Sequence, residues 1–330
     1  MAPSPAPLRE VEELQRRIRG MAAERRAVIL AHNYERPEVQ DVADFVGDSL
    51  GLSREAARTD AEVIVFCGVH FMAETAAIMN PDKLVLIPDK EAGCSLASMI
   101  SGDSLRRWKA EHPGAVVVTY INCTAEVKAE TDIICTSTNA LKVVESVPAD
   151  REILFAPDQF LGAWVREKTG RKNMHIWPGY CHVHNKIKTD DIKALKASRP
   201  NAKFIMHPEC GCSTSCMSLA DKVASTEGIL KHCQSSPDQE FIIGTEVGIL
   251  HRLEKENPGK VFHPATAEAS CEFMKLNTLE KLLWSLEDLE YKVIVPEEIA
   301  RKGRIAIQRM LEISDPGGYA RPVPEKHPVD

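Results

Sequence analysis

Short apolar runs rich in valine and isoleucine alternate along this chain with amphipathic segments at helical spacing. The runs that we interpret as strands buried on both faces are AVIL, EVIVF, LVLI, AVVV, DIIC, EILF, KFIM and EFII. The segments VQDVADFV, LKVVESV and IKALKAS have the spacing of helices with one apolar face. This alternation predicts an α/β fold in which helices cover parallel sheets.

One order of elements occurs three times along the chain. Each copy has a strand, a polar residue, a short helix and a Ser or Thr, and then a strand, a helix, a strand and a cysteine. The three copies end at Cys94, Cys181 and Cys271, about 90 residues apart. This period suits a small domain better than a solenoid unit. We therefore predict three similar three-layer α/β/α domains with parallel sheets, related by a pseudo-threefold axis, with the three cysteines at one shared site.

The repeats set the predicted domain boundaries, and turn sequences such as HPGA and RPNA separate the copies. We expect a C-terminal helix outside the repeats to pack back on the first of them, and a tail to follow it. The predicted units are an N-terminal helix or tail, three repeats, the C-terminal helix and the C-terminal tail, at 1–23, 24–112, 113–199, 200–290, 293–315 and 316–330, respectively.

Composition narrows the class of partner. The chain has 330 residues, 44% of them hydrophobic, and a net charge of −7. The acidic balance, with no run of Lys and Arg, argues against binding to nucleic acid or to an anionic membrane surface. No segment reaches the length of a membrane helix, and the start lacks the apolar core of a signal peptide. We expect a cytoplasmic protein that acts on small molecules.

Ten cysteines in a cytoplasmic chain are more typical of metal binding or catalysis than of disulfides. A single loop cysteine is often an inert apolar residue, but Cys94, Cys181 and Cys271 occupy equivalent positions. Three thiolates can hold zinc or an iron-sulfur cluster, and CHVH offers a histidine for zinc. On a four-iron cluster, three ligands leave one iron free to act as a Lewis acid.

A rival cysteine set lies in HPECGCSTSCM, at Cys210, Cys212 and Cys216. Its CxCxxxC spacing suits a structural zinc or a redox site. It occurs in one repeat only, so we interpret it as an inserted loop. The remaining cysteines lie in or beside apolar elements and are predicted to be core residues; they are Cys67, Cys123, Cys135 and Cys233.

A hydroxyl residue precedes a predicted helix at the same place in each copy, at Ser49, Ser137 and Thr226. The simplest interpretation is a helix N-cap. A helix N-terminus also binds anions through its free amides and its dipole. Three such starts around one axis would suit a substrate with several carboxylates or a phosphate.

Polar pairs follow the first strand of each copy, and ligands bind beyond the carboxyl ends of parallel strands. The pairs are His32 with Tyr34, Tyr120 with Asn122, and His207 with Glu209. His and Glu transfer protons near neutral pH, whereas Tyr and Asn orient carboxylates or polarise a carbonyl. Weaker candidates are Asp48, Lys128, His182 and His184.

Taken together, the motifs of this chain resemble those of the quinolinate synthase family over about residues 24 to 315. The motifs are AHNY, GDSL, GVHFMAETAAIMNP, YIN, CTSTNA, GYCHVH, HPEC, IIGTEVGI and CEFMK. The resemblance implies a 4Fe-4S cluster held by Cys94, Cys181 and Cys271, with one open iron site that acts as a Lewis acid in dehydration. This chain differs from some members of the family in having Ala265 and Glu268 where they have further cysteines.

The resemblance also implies the reaction: condensation of iminoaspartate (iminosuccinate) with dihydroxyacetone phosphate to quinolinate, phosphate and water, in NAD biosynthesis. L-aspartate oxidase is the implied upstream enzyme. The implied catalytic residues are Tyr34, His207, Glu209 and His32. The implied substrate contacts are His32, Ser49, Tyr120, Asn122, Ser137, His207, Glu209 and Thr226. Two alternatives stay open: an iron-sulfur hydro-lyase that acts on a small hydroxy acid, and a non-catalytic iron-sulfur sensor.

Overall fold

The computed structural model describes residues 8–211 and 213–316 of the chain. These residues form three sheets of four parallel strands, and each sheet has the strand order second, first, third, fourth within its repeat. Helices flank each sheet, because βαβ crossovers place them on the faces. The predicted α/β class with three repeated parallel sheets is confirmed.

The first sheet has strand order β2-β1-β3-β4, and its strands are apolar on both faces. Its strands are β1 (Ala27–His32), β2 (Phe45–Gly47), β3 (Val63–Cys67) and β4 (Leu84–Leu86). The helices up to the second sheet are α1 (Leu8–Glu24), α2 (Pro37–Val42), α3 (Ser49–Arg58), α4 (His70–Met79) and α5 (Gly102–Glu111).

The second and third sheets repeat this arrangement. The second has β5 (Val116–Tyr120), β6 (Ile133–Cys135), β7 (Ile153–Ala156) and β8 (Met174–Ile176), with α6 (Ala125–Ala129), α7 (Ala140–Ser146), α8 (Gln159–Thr169) and α9 (Thr189–Ser198). The third has β9 (Lys203–Met206), β10 (Lys222–Val223), β11 (Glu240–Gly244) and β12 (Val261–Pro264), with α10 (Ser213–Cys216), α11 (Thr226–Ser235), α12 (Ile249–Glu256) and α13 (Leu279–Asp288).

Strand register fixes which residues of the three repeats are equivalent. The last paired residues of the first and third strands are Ala31 with Cys67, Thr119 with Ala156, and Met206 with Gly244. The residues that follow these last pairs therefore correspond one to one. His32, Tyr120 and His207 take one position, and the residues two further on take the next.

The helix that follows each cysteine packs on the next repeat. α5 contacts α6, and α9 contributes Ile192 to a core that contains Phe204 of the third sheet. α13 contacts α1 and β3, and its Leu282 and Leu286 pack in the core of the first sheet. The predicted boundary at residue 290 thus assigns to the third repeat a helix that packing joins to the first.

A last helix, α14 (Glu297–Ser314), lies between the first two repeats. It contacts α4 of the first repeat, but also α6, β6 and α7 of the second. Its Arg304 Nε donates to the carbonyl of Ile78, and its Arg309 donates to the carbonyl of Asp132. The expectation that this helix packs on the first repeat was therefore too narrow.

Among the described residues, no helix has the length and apolar character needed to span a bilayer.

Candidate active site

A cavity of about 720 Å³, measured out into the solvent at its mouth, lies where the carboxyl ends of the three sheets face one another. Every residue of the sequence-predicted site lines it, which brings together side chains from all three repeats. They are His32, Tyr34, Ser49, Cys94, Tyr120, Asn122, Ser137, Cys181, His207, Glu209, Thr226 and Cys271. No lysine or arginine is among the lining residues that the structure describes.

Each cavity cysteine begins a tight turn of the same form. The carbonyl oxygens of Cys94, Cys181 and Cys271 accept hydrogen bonds from the backbone N–H four residues later, at 3.2, 3.0 and 3.2 Å. A short 3-10 helix follows in each case, at Ala97–Met99, His184–Lys186 and Met274–Leu276. The turn aims the backbone N–H groups two and three residues after each cysteine at its sulfur.

The cysteine thiols are shielded from water although the residues are only partly buried. Burial raises the pKa of Cys94 to about 12 and that of Cys271 to about 11, while the backbone N–H groups oppose the rise. The charges of Cys94 and Cys271 act on one another, as do those of Cys181 and Cys94. These shifts favour neutral thiols, and a cation between the three sulfurs would favour the thiolates instead.

Two buried carboxylates hold the loops that carry Cys181 and Cys271. Asp158 Oδ2 accepts the backbone N–H of Cys181 at 3.2 Å, and Glu246 Oε1 accepts that of Cys271 at 2.9 Å. Asp158 Oδ1 also caps α8. Burial raises the pKa of Asp158 to about 7 and raises that of Glu246. In the first repeat, the equivalent position is the apolar Val69.

Two histidines present N–H groups to the cavity. His32 Nδ1 accepts the backbone N–H of Tyr34 at 3.2 Å, and His207 Nδ1 lies 3.4 Å from the N–H of Glu209. The proton of a neutral ring is then assigned to Nε2, and His207 Nε2 lies 3.0 Å from Ser137 Oγ. Burial lowers the pKa of His32 to about 3 and that of His207 well below its usual value.

A chain of polar contacts joins Tyr34 to Glu209. The Tyr34 hydroxyl hydrogen-bonds Thr226 at 3.1 Å and also Thr245, whose hydroxyl lies 2.9 Å from His184 Nε2. His184 Nδ1 lies 3.1 Å from Glu209 Oε2, without the alignment of a hydrogen bond. Burial, then the charge of Asp158, raises the pKa of Glu209, which favours the protonated carboxyl group.

Three polar atoms of this cavity make no hydrogen bond within the described part of the chain. Asn122 Oδ1, His184 Nδ1 and Glu209 Oε1 are buried without a hydrogen-bond partner. Buried polar atoms in native proteins are almost always paired. These three atoms are therefore available to a ligand in the cavity.

The helix starts differ from the predicted caps by one or more positions. The caps of α3 and α11 are Asp48 and Ser225, each of which accepts a backbone N–H of its first turn. Ser49 and Thr226 are the first residues of these helices, and Ser137 precedes α7 by three positions. The N-cap interpretation of the three residues was wrong: a neighbour makes the capping bond at α3 and α11, and α7 has no side-chain capping bond.

The residues directly after the cysteines form a hydrogen-bonded chain across the repeats. Ser95 Oγ lies 2.5 Å from His182 Nδ1, and His182 Nε2 lies 3.0 Å from both carboxylate oxygens of Glu272. Ser95 and His182 line the cavity, and Glu272 is mostly exposed. The sequence singled out His182 only weakly and gave no signal for its two partners.

The other candidates divide clearly. Asp48 and His184 line the cavity, whereas Lys128 is buried, donates to the carbonyl of Cys123 and does not line it. Of the rival cysteines, Cys210 and Cys216 are buried and do not line the cavity, and the Cys210 thiol donates to the carbonyl of Gly244 at 3.0 Å. Cys212 lies outside the described residues. The predicted core cysteines are buried: Cys67, Cys123, Cys135 and Cys233.

The sequence comparisons with known proteins agree on one family. The model of the family described as quinolinate synthetase A protein matches residues 16–312. A quinolinate synthase of Pyrobaculum aerophilum is 54% identical over 91% of this chain and 100% of its own. One from Thermus thermophilus is 54% identical over 92% of this chain and 98% of its own, and one from a Mycobacterium species is 53% identical over 93% and 94%.

Proposed function

Because this chain belongs to the quinolinate synthase family of NAD biosynthesis enzymes, we propose that it condenses iminoaspartate with dihydroxyacetone phosphate to quinolinate. Phosphate and water are the other products, and L-aspartate oxidase is the proposed source of the imine. The reaction runs in the cytoplasm, where thiols stay reduced. The observation that carries the proposal is the cavity, which unites three cysteines and nine polar residues of the predicted site.

The proposed cofactor is a 4Fe-4S cluster held by Cys94, Cys181 and Cys271. The fit rests on the chemistry of the donor set: one sulfur from each repeat, each supported by backbone N–H groups, around one cavity. The lining residues include no fourth cysteine within the described chain. When bound, such a cluster supplies a Lewis-acidic iron without a protein sulfur ligand.

The proposed anion contacts work without lysine or arginine. Ser49 and Thr226 lie at the starts of α3 and α11, where free amides and the helix dipole favour a carboxylate or a phosphate. His32 and His207 donate from neutral Nε2–H groups, and Ser137 adds a hydroxyl beside His207. Neutral donors bind an anion more weakly than lysine or arginine does, so the phosphate product can leave the cavity.

The proposed proton transfers use the chain from Tyr34 to Glu209. Glu209 gives a proton to a departing oxygen or takes one from carbon, and His184 lies beside its carboxylate. Thr245 links His184 to the Tyr34 hydroxyl, so a proton can move between the two sides of the cavity. Asn122 and Tyr120 orient the substrate opposite them.

Anaerobic reconstitution with iron and sulfide tests the ligand set. Serine in place of Cys94, Cys181 or Cys271 is expected to abolish the absorption of a 4Fe-4S cluster and the paramagnetic signal of its reduced form. The matched control is Cys210→Ser, which removes a buried thiol that does not line the cavity and should keep the cluster. A normal cluster in Cys94→Ser, with its loss in Cys210→Ser, would contradict the proposal.

Product analysis tests the reaction. Quinolinate and phosphate should form only when both substrates are supplied, and the enzyme should form neither product from one substrate alone. Loss of water from a single hydroxy acid, with no carbon-carbon bond formed, would favour a hydro-lyase instead.

A further inference from the structure

Two histidines and a glutamate lie close together on the side of the second sheet where its strands begin. The cavity lies on the other side, where the strands end. Glu152 directly precedes β7, His175 lies within β8, and His112 is the C-cap of α5. Glu152 Oε1 lies 3.2 Å from His112 Nδ1 and 2.6 Å from His175 Nε2. One donor atom from each of the three residues fits within 4.8 Å of the others.

Packing holds the two rings in place. The His112 and His175 ring centroids are 4.5 Å apart, and the Trp108 ring lies edge-on to His112 at 6.2 Å. Trp108 in turn packs on Trp177, whose indole N–H donates to the carbonyl of Met99. A ring fixed in this way loses little freedom when it binds a ligand.

The third repeat supplies an internal comparison. Glu240 and His263 are equivalent to Glu152 and His175 by strand register, and His263 Nε2 lies 2.9 Å from Glu240 Oε1. At the helix C-cap equivalent to His112, the third repeat has Arg199, with Nε 4.0 Å from Glu240. In the third repeat, Arg199 thus places a fixed positive charge beside the Glu240 and His263 pair. In the second repeat, His112 takes that position and offers a third metal-binding side chain.

We propose that His112, Glu152 and His175 bind a first-row transition-metal cation of the zinc type. Two imidazoles and one carboxylate are a common zinc donor set, with the remaining position taken by water. Bond lengths of about 2.0 to 2.2 Å place neighbouring donors of a tetrahedral site about 3.3 to 3.6 Å apart. The 3.2 Å pair nearly matches that spacing, and the 2.6 Å pair reaches it through a shift of about 1 Å.

The three residues are open to solvent, which gives a cation a path of entry. The side chains of His112, Glu152 and His175 are 23%, 36% and 46% exposed. The cation would join the end of α5 to the two strands β7 and β8, and so link the helix that crosses from the first repeat to the second sheet. Because the site is at the sheet edge away from the cysteines, metal binding here is separable from the reaction.

The test is a zinc titration of the cluster-loaded enzyme, followed by calorimetry and metal analysis after dialysis. The expected result is one bound zinc per chain, with affinity at least about 100-fold weaker in His112→Arg and His175→Asn. X-ray absorption at the zinc edge should show nitrogen and oxygen at about 2.0 to 2.2 Å, and no sulfur at about 2.3 Å.

The variants are matched to the repeats. His112→Arg gives the second repeat the arginine of the third, so it keeps a charge partner for Glu152 and should fold; its melting temperature without zinc checks this. His263→Asn changes the equivalent histidine of the third repeat and should leave zinc binding unchanged. Equal zinc binding by the wild-type protein and His112→Arg, or a sulfur shell around the zinc, overturns the proposal.

Discussion

The first repeat differs from the other two at the position two residues after its third strand, beside the loop that carries the cysteine. In the second and third repeats a buried carboxylate, Asp158 or Glu246, accepts the backbone N–H of the cysteine. The first repeat has Val69 there, and its wall of the cavity continues with Phe71 and Met72. The repeats therefore share their backbone turns but not their charge, and one wall of the cavity is apolar.

At another position the first repeat has the acid and the other two lack it. This position lies three residues after His32, Tyr120 and His207. There the second and third repeats bury the thiols of Cys123 and Cys210, whereas the first buries the carboxyl group of Glu35. Glu35 Oε1 accepts a hydrogen bond from Asn277 at 2.8 Å. Each repeat thus buries an acid near its strand ends, but the first repeat has it after the first strand and the other two have it after the third.

The largest effect is expected at the position taken by Tyr34, Asn122 and Glu209 in the three repeats. Only the third repeat has a carboxyl group there, so Glu209→Gln should leave the cavity intact and remove the proton carrier. Turnover should fall by about 100-fold to 10,000-fold. Steady-state kinetics measures it, with cluster content checked by absorption. Turnover within a factor of two of wild type would show that the difference between repeats is not catalytic.

The alternation of apolar runs and helices was enough to predict the sheets, because a parallel strand buried on both faces leaves a distinct pattern. The path of α13 to the first sheet was not predictable. Its apolar face, with Leu282 and Leu286, suits any sheet equally well, and only the closure of the three repeats selects the partner.

The sequence predicted those cavity residues that have a counterpart of similar chemistry in all three repeats. Asp158 and Glu246 were missed because the first repeat has Val69 at their position, which breaks the threefold pattern. The capping error has a local cause: GDS and AST each offer two adjacent residues that can cap, and the pattern does not say which one does. Thr245 had no signal, since its role depends on Tyr34 and His184 from other repeats.

A smaller effect is expected from the carboxylates beneath the cysteines. Asp158→Asn must turn an amide N–H either toward the N–H of Cys181 or toward the N–H groups that start α8. A buried donor left unpaired costs about 1 to 3 kcal/mol, so the melting temperature should fall. The loop that holds Cys181 should also loosen, and cluster affinity should drop by about 10-fold to 100-fold. The rate of iron loss to a chelator measures the second effect.

The control for this variant lies at the other end of the same sheet. Asp132 Oδ2 accepts the backbone N–H of Val117 at 2.8 Å, away from the cysteines. Asp132→Asn should lower the melting temperature without faster loss of iron. If both variants lose iron at the same rate, the carboxylate beneath the cysteine has no special part in holding the cluster.

The smallest effect is expected from Glu35→Cys, which gives the first repeat the residue of the other two. Burial raises the pKa of Glu35 from 4.5 to about 8, against the opposing effects of Asn277 and Lys275. Between these values the folded state holds a proton that the unfolded state has released. Stability therefore falls as pH rises through this window, by at most about 1.4 kcal/mol per pH unit for one group.

The thiol of Glu35→Cys stays neutral across most of that window, so the variant should lose less stability than the wild-type protein between pH 6 and pH 8. Melting temperatures at both pH values, in the presence of a reductant, measure the difference. Lys275 and Glu246 also face this group, and both are unchanged in the variant. Glu10→Gln, on the exposed face of α1, should leave the pH dependence as it is. An unchanged slope in Glu35→Cys would mean that Glu35 is ionised in the folded protein, and that the first repeat buries a charge where the others bury a neutral thiol.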